Sequence, residues 1–438
     1  MSFAAILILA GCTFHPDGES EERKISLASG RNFEKANVLQ LPADPTPDDL
    51  VRRALTSNRG LQQQYWEWRS AIEQIPQDGT QATNLALFAG MGITNGSTSL
   101  DASTLGLGND PMADIVLPPK LSTAAKRALE NARAAGHRFR KSQFELRSKV
   151  LATYADYALT SELIRLQDSN TQLLEMSLVS VQAKTQTGTG SEQEMLQMQN
   201  DLDLSRNDSA NFRSQLPAEV AALNSLLDRE PDAAIPVPHD LPAARRLVQS
   251  GAEQIQLAAT RNPELLALSH ESTARQHSIG LAKLQYLPDI SLSANSNLTG
   301  VTQSLAGMVT VPILRYQAIN AAVEQAEDNL KASEAMRLQA GNDLASVVVM
   351  DSTFIGDADR QILLFQSSVL PRAHSIVAIS RSSYETGQSS YLQLVEGEKS
   401  VIAIDRLIAN LRVSREKRVL ELEAIIARPI SETATGNQ

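Results

Sequence analysis

Thr187-Gly188-Thr189-Gly190-Ser191-Glu192-Gln193-Glu194 has a counterpart at Thr386-Gly387-Gln388-Ser389-Ser390-Tyr391-Leu392-Gln393, its first glycine 199 residues further on (188 to 387). Ser191 aligns with Ser390 and Leu196 with Val395. Upstream, Ala54-Leu55-Thr56-Ser57-Asn58 aligns with Ala258-Ala259-Thr260-Arg261-Asn262, 204 residues apart (58 to 262). Landmarks that recur in order at a fixed offset are the signature of a duplicated unit. Each copy reads as a helix, a strand-like pair, a long helix, a glycine turn and a shorter returning helix. The expected fold is mainly α with a small β part, a two-copy repeat of long helical hairpins over 48–240 and 241–428, with 429–438 as a tail.

In the first copy, Leu50, Ala54 and Leu61 give helical spacing from Asp48 to about Gln74. Leu85 to Ile93 and Asp114 to Leu117 read as strands, separated by Gly-, Ser- and Asn-rich sequence. Pro118 and Pro119 stop the second strand, because proline cannot donate to a ladder, and they suit the first turn of a helix. Leu121 to Lys184 holds no proline and one glycine, Gly136. Such a run predicts a helix about 100 Å long at about 1.5 Å per residue. Gly188 should end it, Ser191 with Glu194 should form a capping box, and the return should run to about Leu227, kinked or interrupted by Pro217.

The second copy repeats this order. Pro242 to Tyr286 reads as helix with a step at Asn262-Pro263. Ile290, Leu292, Ala294 and Leu298 alternate with polar residues, and Val309 and Val311 carry a second strand to Pro312. Ile319, Val323, Ala326 and Leu330 form a heptad seam. The long helix should run to about Glu385 with a kink near Pro371, turn at Gly387, and return from Ser390 to about Ala427.

The 438 residues carry 40 Lys+Arg against 50 Asp+Glu, a net charge of −10, which lacks the basic footprint that nucleic acid requires. Aromatics are 4 % of the chain, a composition of long, thinly packed helices. A single cysteine excludes an internal disulfide and a multi-cysteine metal cluster. The six histidines are scattered; His270 and His277 could share a helix face, as a seam pair. No phosphate loop and no nucleophile elbow is present, and Glu192 and Glu194 lack an apolar pocket. No cofactor, no metal site and no catalytic residue is expected, and the chain reads as a non-enzyme. No apolar run is expected to approach the roughly 18–20 residues of a spanning helix, so bilayer entry would use strands or a lipid.

Phe3 to Gly11 is apolar and ends at the only cysteine. Leu9-Ala10-Gly11-Cys12 resembles a bacterial lipobox, which makes 1–11 a signal segment, Cys12 the lipid-attachment site and 12–47 a lipidated extended arm. Each buried acyl CH₂ contributes about 0.8 kcal/mol of membrane affinity.

Asn262-Pro263-Glu264-Leu265 and Tyr286-Leu287-Pro288-Asp289-Ile290 resemble the helix start and helix-to-strand junction of TolC-type outer-membrane factors. Val311-Pro312-Ile313-Leu314, with Ala321, Ala322 and Ala326, is similar to that family's return from strand to helix. Leu370-Pro371-Arg372-Ala373 before Tyr384-Glu385-Thr386-Gly387 is similar to its second hairpin turn. Tyr65-Trp66-Glu67-Trp68-Arg69, Ile75-Pro76-Gln77 and Ala222 to Arg229 resemble the heavy-metal and cation efflux branch. The resemblance spans about residues 48 to 428.

It implies a homotrimer in which each chain gives four strands to one twelve-stranded barrel and its helices to one hollow α-barrel. The implied partners are a periplasmic adaptor, an inner-membrane pump and outer-membrane lipid. The implied function is a passive exit duct for small solutes, metal cations or drugs. Pro118, Pro119, Pro288 and Pro312 would mark helix–strand junctions. Gly188, Ser191, Glu192, Glu194, Tyr384, Glu385, Gly387, Ser390 and Tyr391 would form the periplasmic tip, as gate or adaptor contacts. A lipid-anchored coiled-coil scaffold without a working barrel, and a duct for secreted protein or polymer, are the alternatives.

Overall fold

The structure, a computed structural model, describes residues 13–34, 39–80, 85–94, 97–109, 116–188, 190–238, 240–247, 249–297, 303–386 and 388–433. In chain order it forms α1 (Glu19–Ser29), a turn of helix (Arg31–Glu34), α2 (Pro47–Ser57), α3 (Arg59–Gly79), β1 (Leu85–Thr94), β2 (Ser97–Asn109), α4 (Pro118–Gln186) and α5 (Glu192–Leu226). There follow β3 (Arg245–Leu247), α6 (Gly251–Arg261), α7 (Pro263–Lys283), β4 (Asp289–Asn297), β5 (Gln303–Thr310), α8 (Tyr316–Leu364), α9 (Leu370–Glu385), α10 (Tyr391–Ile426) and β6 (Ser431–Thr433). Single 3-10 turns, Leu284–Tyr286 and Ile313–Arg315, flank the β4–β5 hairpin, and a π turn, Phe365–Val369, joins α8 to α9.

The long helix is continuous over 69 residues, about 100 Å at about 1.5 Å per residue. The helix starts are fixed by true capping boxes at Thr46 with Asp49 and at Ser250 with Glu253. In each, the hydroxyl accepts the third backbone N–H and the carboxylate takes the cap's own N–H, at 3.0 Å from Thr46 and 2.8 Å from Ser250. These boxes, like Asn58 and Asn262, lie 204 residues apart. Asn58 (φ −61°, ψ 125°) and Asn262 (φ −58°, ψ 122°) leave their helices with nearly the same backbone.

The four-stranded sheet is antiparallel in the order β1-β2-β4-β5. Leu85 pairs with Asn109, Leu105 with Ser296 and Asp289 with Thr310, and a register shift interrupts β1 between Gly90 and Gly92. Among the described residues β1 and β5 each pair on one side only.

Several expectations need correction. The second strand is Ser97–Asn109, not Asp114 to Leu117; Val116 and Leu117 lie in no strand, and 110–115 fall outside the described residues. Its Ser, Thr and Gly content hides it, because cross-strand pairing and not intrinsic propensity sets a strand. The arm after Cys12 is not simply extended: it contains α1, and Thr13 bridges to Thr80. The first helix is two, broken at Asn58. Helix does not begin at Pro242, since β3 pairs with β6 of the expected tail and α6 starts at Gly251. Pro217 does not interrupt α5, where it removes one donor from a helix of 35 residues. Near Pro371, where a kink is expected, the helical ladder passes through a π turn that ends at Val369.

Two compact units divide the chain. The first comprises Met1–Arg31, Gln63–Phe139 and Glu264–Gly341. Its core is the 3-4-3 stripe of α3, Tyr65, Trp68, Ile72 and Ile75, all buried. Each such burial contributes about 1.5–3 kcal/mol. Trp68 stacks on Phe139 with ring centroids 5.5 Å apart. A Cβ at Gly136 would sit 2.9 Å from the Trp68 ring, so the one glycine of the long helix marks a close approach. The Glu22 carboxylate of α1 accepts Trp68 Nε1–H at 2.8 Å, and Arg23 Nη1 reaches Glu73 at 2.7 Å. Burial pushes the Glu22 carboxyl up. His270 stacks on His137 at 5.2 Å and bonds Glu130 at 2.6 Å, and the charge of that same carboxylate also acts on His277, further along the same helix.

The second unit comprises Asn32–Gln62, Arg140–Pro263 and Asn342–Gln438. Ala258, Val348, Ile355, Val419, Leu422, Ile426 and Ile430 form one buried cluster. Beside it the carboxylate of Glu423, 1 % exposed, accepts Arg147 Nη1 and Arg245 Nη1, both at 3.0 Å, and Ile430 N–H at 3.2 Å. That carboxylate fastens β3 and the end of α10 to the long helix. A buried charge with this many partners is costly to strip of one of them.

The helical stretch Ile313–Glu385 is long enough, and in one window apolar enough, to cross a membrane by composition, and 6 % of that window is buried. Met336, Leu338, Val349, Leu363, Ile376 and Ile379 all lie exposed on it.

Candidate functional site: the paired hairpin turns

The first turn is built by backbone. Thr187 N–H returns to Ala183 O at 3.2 Å, Gly188 N–H to Thr185 O at 3.1 Å and Gly190 N–H to Lys184 O at 2.9 Å. Gly188 takes φ +74°, the left-handed conformation that glycine adopts without penalty. Gly190, which sequence reasoning did not single out, is the tighter position: a Cβ there would lie 2.8 Å from Thr185 N. Ser191 caps α5, but its hydroxyl accepts from Gln193 N at 3.2 Å, so the expected box with Glu194 is absent. Glu192 is exposed and Glu194 half-buried.

The second turn is similar in outline. Thr386 N–H bonds Ser382 O at 3.1 Å, and Gln388 and Ser389 N–H both bond Ser383 O, at 2.8 and 3.2 Å. Ser390 precedes α10 with extended backbone and no side-chain cap. Glu385 is exposed. Gly387, like Cys12, lies outside the described residues.

The two turns meet through their helices. Tyr391 is buried with Leu174, Val181, Met198, Leu202, Leu394 and Val395, and Tyr384 packs against that cluster. Tyr384 and Tyr391 stand edge to face, centroids 5.4 Å apart. Lys184 Nζ, from the first hairpin, lies 3.5 Å over the centre of the Tyr384 ring in the second. Such a cation–π contact is worth about 0.5–2 kcal/mol. Lys399 Nζ meets Asp201 at 2.8 Å, a further tie between the hairpins. Within the second hairpin, Arg381 Nη2 meets Glu398 at 3.2 Å. Burial pushes the Glu398 carboxyl and the Tyr391 phenol up, so both are held neutral more readily than in water. Tyr384 and Tyr391 are therefore brought together, while Glu192 and Glu385 remain at the surface. Lys184, Lys399 and Asp201 were missed because nothing local marks a residue whose partner lies on another hairpin.

Of the four junction prolines, Pro288 and Pro312 adjoin strands, whereas Pro118 and Pro119 open a helix without stopping a strand, since Val116 and Leu117 lie in none. Pro118 and Pro119 open α4, Pro288 separates a 3-10 turn from β4, and Pro312 starts the 3-10 turn after β5. Lys120 Nζ bonds Asp289 at 2.6 Å, joining two of these junctions. Tyr286, Leu287, Val309, Ile313, Leu314 and Tyr316 are exposed around them, and the Tyr286 and Tyr316 rings lie 5.6 Å apart. No group of metal-ligating side chains occurs among the described residues.

Residues 254–428 match the family described as outer membrane efflux protein. The cation efflux system protein CusC of Escherichia coli O6:H1 is 22 % identical, covering 96 % of this chain and 96 % of its own. The probable outer membrane lipoprotein SilC of Salmonella typhimurium is 23 % identical, again with 96 % of each chain covered. A crystal structure of CusC, solved in a study of folding and transmembrane channel formation, superposes with a TM-score of 0.75 at 19 % identity, covering 89 % of this chain and 95 % of that one. The order of long helices and paired strands is the fold of that channel, and the likeness to the outer membrane efflux protein family lies in residues 254–428.

Proposed function

We propose that the chain is the outer-membrane channel of a tripartite efflux system, a passive exit duct for small solutes. The observation that carries this reading is the sheet whose two edge strands are, among the described residues, unpaired on their outer sides, joined through prolines to helices far longer than one sheet needs. Lipid does not tolerate an open strand edge, because no water is there to satisfy it. Three copies of a four-stranded sheet close into one barrel of twelve, and the exposed apolar face of α8 and α9 then packs against a neighbouring copy. The tyrosines and aliphatic residues exposed at the strand bases suit a membrane–water boundary. The matching caps 204 residues apart support an internal two-copy repeat, so that each copy supplies two pseudo-equivalent hairpins to the helical tube.

Such a duct does no chemistry. It spares a solute the cost of entering lipid, and its selectivity comes from diameter and charge. The net charge of −10 favours cations, as does the likeness to a cation efflux protein. The paired turns at Lys184, Tyr384 and Tyr391 serve as the gate and adaptor contact, facing an inner-membrane pump. Cys12 carries the lipid. Purified protein in planar bilayers should show stepwise conductance at three copies per particle; an absence of conductance, under conditions that open a related channel, would favour a lipid-anchored scaffold instead.

A further inference from the structure

We propose that the crevice between α8, its π turn and α10 binds a small carboxylate bearing a hydrogen-bond donor beside it, an α-amino or α-hydroxy acid. The cavity measures about 220 Å³ and is lined by Asp359, Ile362 and Gln366 from the first hairpin leg and Arg412, Arg415 and Glu416 from the second. Arg415 is 5 % exposed. Its Nε and Nη2 are held by the Asp359 carboxylate at 2.5 and 3.2 Å, and its Nη1 is buried without a partner. Glu416 is 8 % exposed. Its Oε1 accepts from Arg245 Nε at 2.8 Å, while its Oε2 is buried and equally unpartnered. Among the described residues no carboxylate pairs with Arg412.

Buried polar atoms are rarely left unpaired in native proteins, and two lie on adjacent lining residues, with Arg245 Nη2 a third beside Glu416. The chemistry of the lining pair defines an occupant. Arg415 is balanced by Asp359 and Glu416 by Arg245, which leaves the charge of Arg412 to be met by one anion. A carboxylate matches the guanidinium fork. The free oxygen of Glu416 requires a donor on the same ligand and repels a second negative charge, which disfavours phosphate. The site lies against a π turn, where Gln366 sits, and π turns recur at functional positions. This inference does not rest on the duct reading.

The test is calorimetric titration of the full chain in detergent with glycine, L-lactate, acetate and inorganic phosphate. Glycine and lactate should bind, with acetate weaker by about tenfold, equivalent to about 1.4 kcal/mol. Arg412→Ala, at a half-exposed position, should weaken glycine by a similar factor at an unchanged melting temperature, and Arg415→Gln should abolish it. Phosphate binding as well as glycine, glycine binding undiminished in Arg412→Ala, or no binding and a cavity filled only by ordered water would each overturn the proposal.

Discussion

Asn262 Nδ2 donates to the carbonyl of Ile425 at 2.8 Å, two residues before Ala427 turns left-handed and ends α10. Asn58 Nδ2 donates in the same way to Leu226 O at 3.0 Å, ahead of the left-handed Asp228. Each amide fills an orphan carbonyl at a helix end while stopping its own helix. Replacing Asn262 by Ala should cost about 1 kcal/mol, the worth of a part-buried hydrogen bond. Thermal unfolding of Asn262→Ala checks this, and a melting temperature equal to that of the unchanged protein would show the bond to be idle.

The two turn glycines should respond differently to a methyl group. Gly188→Ala meets open space and only backbone strain, about 1 kcal/mol. Gly190→Ala drives a Cβ against Thr185 N and must shift the turn. Hydrogen exchange of residues 183–195 should rise more in Gly190→Ala; equal exchange in both variants would contradict this.

On the proposed function, the Lys184–Tyr384 contact helps to hold the tip shut. Tyr384→Ala removes a contact worth about 0.5–2 kcal/mol and should raise open probability several-fold in planar bilayers. Val237→Ala, at an exposed position in the loop after α5 and distant in sequence from either turn, serves as control. If both variants conduct like the parent, the gate lies elsewhere.

Asp351 gives a pH prediction. It is fully buried, and burial, with the nearby Glu421 charge adding, raises its carboxyl to about 6 against the opposing pull of Arg418 at 3.2 Å. A folded-state value above the unfolded one means that the folded protein holds the proton more tightly. Stability from this group is therefore full below about pH 4 and declines as pH rises through about 6, by up to about 3 kcal/mol. Asp351→Asn should flatten that slope and unfold at a higher temperature at pH 8. A variant whose melting temperature keeps the parent's dependence between pH 4 and 6 would place the titration on another group.

The long helices were legible because their signal is local and cumulative: no proline and one glycine from Leu121 to Lys184, then glycine at the turn. The β4–β5 hairpin was legible from alternation between Ile290 and Val309. What escaped depends on partners distant in sequence. β2 owes its existence to β1 and β4, and α1 to the Trp68 and Glu73 it meets. At the candidate site the sequence marked the turns, and named Tyr384 and Tyr391, but not Lys184, Lys399 or Asp201, whose role exists only where two hairpins meet. The capping boxes were legible in principle at Thr46 and Ser250; Ser191 with Glu194 has the same spacing, yet its hydroxyl found Gln193 first.

The outer borders of β1 and β5, unpaired among the described residues, bear on heredity as well as on architecture. In the proposed closed ring each border is completed by a sister chain, so a proline placed in one border breaks one junction for every damaged copy the ring holds. A cell making healthy and damaged copies together would assemble mostly spoiled rings. A lesion there should behave as dominant, whereas simple loss of the gene should be recessive.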